Sequence, residues 1–203
     1  MLGVLRMAGE VGEARPKQRQ TLGMALGAAL IAGLIGGLSL LVVETDREGF
    51  AAATRNTGRW SLTLFSALWF SWCVTKRVPA LYGFAAFAAA HVVHLGFIVS
   101  YLTPLGLWPA GTRLLGGILG YGLLVSFPFV YGFISAKNRL RLSFVYFCYL
   151  WLVFVLTYLP RALGKLPIAT TDPRWAWASL VWLGVLALGG LVGWLRRSSP
   201  QKP

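Results

Sequence analysis

The chain has 203 residues, 57% of them apolar and 12% charged, and a mean hydropathy of +0.66. One soluble core of this size cannot bury so much apolar surface, so a large part of it must face lipid. The net charge of +13 does not point to nucleic acid: the basic residues fall in short segments between apolar runs, and their placement reports topology.

A helix of about 20 residues crosses a hydrocarbon core of ~30 Å. Apolar runs such as "ALGAALIAGLIGGLSLLVV" lack the two-residue alternation of barrel strands. The sequence therefore predicts an all-α integral membrane protein, a six-transmembrane-helix bundle spanning residues 22–195.

Residues 1–21 mix small and charged residues around Pro16 and read as a loosely ordered tail. The first span, Leu22–Val43, is too long for a signal-peptide core and has no cleavage site before "ETDREG". In it, Gly33 and Gly37 are spaced as a small-residue face for another helix. "ETDREGFAAATRNTG" reads as an outer loop with room for a short surface helix before Gly58, followed by the span Trp60–Val74. "VTKRVP" is a tight turn, and Pro79 suits the first turn of the third span.

That span, Pro79–Leu102, holds His91 and His94, the only histidines in the chain. Entered from Lys76 and Arg77, it carries His91 ~18–20 Å into the bilayer, near the midplane, with His94 one turn further on nearly the same face. An unpaired polar group at that depth costs roughly 2–7 kcal/mol. Either the imidazoles serve a haem or redox site, or a neighbour such as a backbone carbonyl, Ser66 or Tyr131 satisfies them. Axial haem ligands lie on opposite faces of the porphyrin, so one turn of one helix cannot supply both. Other metals lack a ligand set, since the spans contain no carboxylate and only the separated Cys73 and Cys148, which read as buried fillers.

"TPLGLWPAGT" is the next outer loop, then come the span Leu114–Ser135, the inner turn "KNRLR" and the span Leu142–Leu159. "RALGKLPIATTDPR" closes the outer side; its Arg161, Lys165 and Arg174 read as solvated loop charge, with binding of a phosphate or an acidic partner as the alternative. The span Trp175–Leu195 and a tail at 196–203 complete the chain. With both termini on one side, that side collects twelve of the nineteen basic residues, so the positive-inside rule places both termini in the cytoplasm; the expected location is the plasma (inner) membrane. Trp60, Trp108, Trp175, Trp177 and Trp194 lie near span ends, where indoles anchor at the headgroup level.

"TRNTGRWSLTLFSALW" resembles the element opening the second helix of the ferric-reductase-like transmembrane domain family, in its bacterial haem-binding members that partner a periplasmic methionine sulfoxide reductase. "KRVPALYGFAAFAAAHVVH" is similar to that family's basic turn and the helix leading to a histidine. "GGILGYGLLVSFPFVYGF", "NRLRLSFVY" and "LPRALGK" resemble its fourth helix, second inner turn and the end of its fifth helix, in order over residues 20–165.

The resemblance implies haem b, with His91 as the iron ligand and His94 beside it in the cofactor site. It also implies electron transfer through the bilayer to an outer acceptor, with a separate reductase or quinol as donor and a membrane or periplasmic protein as partner. No soluble segment is long enough for a flavin or nicotinamide domain. Two departures support an alternative. The family's fifth-helix histidines fall near Leu142 and Leu156, and "SWCV" stands where the family has Thr-Pro. The alternative is a haem-free descendant acting as a non-catalytic membrane subunit or assembly partner. A small-solute transporter fits less well, for want of an inverted repeat and an embedded carboxylate.

Overall fold

The computed structural model describes residues 2–43, 46–75, 80–108, 111–165 and 172–198. Every regular element among them is helical: α1 (Leu2–Val42), α2 (Asp46–Thr75), α3 (Leu81–Leu102), α4 (Thr112–Phe133), α5 (Ala136–Ala162) and α6 (Pro173–Ser198). Five segments are long and apolar enough to cross a membrane: Gln18–Val42, Leu81–Leu102, Leu114–Phe133, Asn138–Ala162 and Pro173–Gly193. The expected all-α membrane bundle is thus observed.

Three boundaries differ from the sequence reading: α5 starts at Ala136, so the stretch read as the inner turn "KNRLR" is its opening turns. The helical backbone of α1 continues back to Leu2 through the stretch read as a tail. More consequentially, the first outer loop is mostly helix: α2 starts at Asp46, with Asp46 and Glu48 in its first turn, where acidic groups complement the helix dipole. The alanines at 51–53 and Thr57 are buried, so this charged half of α2 packs inside the bundle. Looking for apolar runs alone hid it, because its charged residues interrupt the hydropathy signal while its small residues carry the packing.

α2 packs on α1, α3 and α6, and α3 packs on α1, α2 and α4, so these two helices share the centre. Between α1 and α3 the close surfaces are Ala28 and Ala32 against Ala86 and Ala90. One turn on, Gly36 makes room for the Phe97 ring, which a Cβ there would overlap. The small-residue face is therefore the row Ala28, Ala32, Gly36. Gly33 and Gly37 have no neighbour within 4 Å, since they lie on other sides of the same helix.

The core is aromatic. Phe65, Trp69 and Trp72 of α2 meet Phe147 and Phe154 of α5, and Phe84 of α3 meets Phe147, Phe127, Tyr131 and Tyr146, with ring centroids 5.0–6.2 Å apart. Pro128 inside α4 has no N–H to give the Leu124 carbonyl. The Tyr146 hydroxyl of α5 donates to that carbonyl at 3.3 Å, while its ring stacks on Phe127 at 3.8 Å and 9°. Cys73 is half-buried, but Cys148 is exposed on α5, not a buried filler.

Candidate functional site around His94

The polar site lies at the end of the bundle where α2 and α6 begin and α1, α3 and α5 finish. His91 and His94 are brought together on one face of α3, their rings 5.5 Å apart and nearly perpendicular. Their surroundings differ.

His94 is tied to α2. Its Nδ1 lies 2.9 Å from the Thr57 Oγ1. The threonine has one hydroxyl proton, and it goes back to the Ala53 carbonyl at 2.7 Å. The oxygen is left to accept, so Nδ1 of His94 carries the proton and donates it; in the neutral ring Nε2 is the bare lone pair. Gly58 lets the two helices approach this closely: a Cβ there would stand 3.1 Å from His94 Cε1 and 3.4 Å from Nε2.

The next two residues of the same motif also face neighbours. Arg59 donates Nη1–H to Asn56 Oδ1 at 3.1 Å and lays its guanidinium over the Trp175 ring, 4.6 Å from the centroid. Trp60 donates Nε1–H to the Ala28 carbonyl of α1 at 3.4 Å. Trp60 is thus an interhelical tie and not an interfacial anchor, whereas Trp108, Trp175 and Trp177 are exposed as anchors should be. "TGRW" is the segment by which α2 holds α3, α6 and α1.

His91 is buried, and among the described residues its Nδ1 has no hydrogen-bond partner. Rings enclose it: Phe87 at 5.1 Å, Tyr121 of α4 at 5.3 Å and Phe154 of α5 at 6.1 Å. Neither expected partner reaches the histidines. Ser66 accepts from Trp182 Nε1 at 2.9 Å and donates to the Leu62 carbonyl at 2.7 Å. Tyr131 packs on Phe84 and Phe127. Thr57 was missed because it sat in a stretch read as loop; its place directly before Gly58 was the available signal.

Among the described residues, no three His, Cys, Asp or Glu side chains come together as a metal site. α5 carries no histidine or methionine to pair with a histidine of α3 across a haem. Leu142 and Leu156, where the resemblance puts histidines, are 40% and 60% exposed on the outside of the bundle. The buried positions along α5 are Ser143, Tyr146, Phe147, Leu150, Phe154 and Ala162, and Phe154 is the residue that meets His91. A haem ligated by two imidazoles from these helices does not fit.

The chain matches no family model, no curated protein and no solved structure.

Proposed function

We propose that this chain is a haem-free membrane protein of the ferric-reductase-like kind that acts as a non-catalytic subunit or assembly partner. The observation that carries this reading is the rotation of α5, which turns Leu142 and Leu156 outward and fills the space facing α3 with Phe147 and Phe154. In it, His94 serves as a polar clamp between α2 and α3; a net hydrogen bond of this type contributes about 0.5–1.5 kcal/mol.

A second reading is favoured by one feature. The Thr57 bond fixes the His94 ring and leaves Nε2 as a lone pair, the arrangement that ligating imidazoles use. A haem bound there would have one protein imidazole, and would supply one-electron chemistry.

Absorption spectroscopy of the full chain, purified from cells supplied with haem, separates the two. The haem-free reading expects no Soret band at stoichiometric intensity. A strong Soret band that shifts with carbon monoxide and disappears in His94→Ala, while persisting in Leu156→Ala, establishes the second reading and overturns the first.

A further inference from the structure

Two arginines from different helices, Arg59 of α2 and Arg161 of α5, both lie within electrostatic reach of Tyr158. α5 ends at Ala162, one residue past Arg161, because Gly164 takes φ 65° and the Lys165 N–H closes back on the Pro160 carbonyl at 2.9 Å, a glycine-capped helix end. Arg161 donates Nη1–H to the Thr157 carbonyl, and its charge reaches both His94 and Tyr158. Tyr158 also lies within reach of the Arg59 charge. The facing end of α6 is set by Asp172, whose Oδ1 accepts the Arg174 N–H at 2.9 Å ahead of Pro173, placing Trp175 on the first turn under Arg59.

Arg55, Arg59 and Arg161 are all half-buried, an unusual state for arginine unless it is paired. Glu48 acts on Arg55, but among the described residues neither Arg59 nor Arg161 has a carboxylate partner. Burial, with the like charge of Arg59, pushes the Arg55 guanidinium below its usual value, which reflects the same crowding of positive charge. Half-desolvated cations so arranged favour an anion, and guanidinium forks match the oxygens of a phosphate.

We propose that Arg59 and Arg161 bind the phosphate of an anionic phospholipid at this end of the bundle, between α2, α5 and α6. The exposed indoles of Trp175 (56%) and Trp177 (48%) mark the headgroup level at the same place, which favours a lipid over a free anion. The site is independent of the haem question.

Native mass spectrometry of the full chain, delipidated in detergent and offered phosphatidylglycerol or phosphatidylcholine, tests this. The wild type should take up phosphatidylglycerol at least tenfold more readily than phosphatidylcholine. Arg59→Gln and Arg161→Gln should each weaken that uptake about tenfold, and the lysine variants should keep part of it. Arg141→Gln, at the far end, should leave it unchanged. The proposal is overturned by equal uptake of the two lipids in the wild type, by full uptake in the double glutamine variant, or by displacement of the bound lipid with millimolar inorganic phosphate. The wild-type comparison decides even if the glutamine variants fail to fold.

Discussion

The two ends of the same helices solve burial in opposite ways. Toward the end where α2 finishes and α5 begins, α2, α3 and α5 meet through Trp69, Trp72, Phe84 and Phe147, with dispersion and ring-edge contacts supplying the cohesion. At the other end the same α2 and α3 meet through Thr57, Gly58 and His94, and α2 and α6 through Arg59 and Trp175. Packing in the first region depends on volume, and in the second on protons and charge. Apolar surface gives helices in lipid little reason to associate, so shape-matched rings and satisfied polar groups are the means left.

The largest effect that could break this contrast is in the aromatic half. Phe147 is fully buried and touches Phe65, Trp69, Trp72 and Phe84. Phe147→Ala should cost about 3–5 kcal/mol in reversible unfolding in mixed micelles; a loss below 1 kcal/mol would show that the rings do not hold the bundle.

In the polar half, Thr57→Val keeps the shape and strands the His94 Nδ1–H. The expected loss is about 1–2 kcal/mol, with Thr57→Ser close to wild type. Nitrogen chemical shifts of His94 should show the Nδ1–H tautomer in the wild type and a mixture in the valine variant. An Nε2–H tautomer in the wild type would contradict the assigned donor.

A smaller effect belongs to the Tyr146 hydroxyl. Tyr146→Phe should cost about 0.5–1.5 kcal/mol, and about nothing when Pro128→Ala has already given the Leu124 carbonyl a helical partner. Additive losses in that double-mutant cycle would mean the two sites are not linked. The smallest change is expected at Gly33→Ala, which meets nothing within 4 Å and should be neutral or stabilising by up to about 0.5 kcal/mol.

Hydropathy made most of the bundle legible, because a lipid-crossing helix announces itself by length: the boundaries of α3, α4 and α6 shifted by only a few residues. It failed at α2, whose first half carries Asp46, Glu48, Arg55 and Arg59 yet is packed through Ala51, Ala52, Ala53 and Thr57. The pair His91 and His94 stood out as polar residues in an apolar run. Their partners did not, since a threonine 37 residues earlier in the chain has no periodic signature, and the facing of α5 depends on a helix rotation that spacing to "FVY" does not reveal. Gly33 and Gly37 misled for a related reason: spacing shows that a row of small residues exists, but which row meets a neighbour is decided by tertiary packing.

The Leu124 carbonyl bears on how the chain enters the bilayer. A helix delivered alone into hydrocarbon with Pro128 in its second half carries one backbone oxygen that it cannot satisfy itself. The group that completes it belongs to the next helix in the chain, 22 residues along. α4 is thus an unfinished insertion unit until α5 arrives beside it, and synthesis order favours the two leaving the insertion machinery as a hairpin, with Tyr146 acting as the latch that closes it.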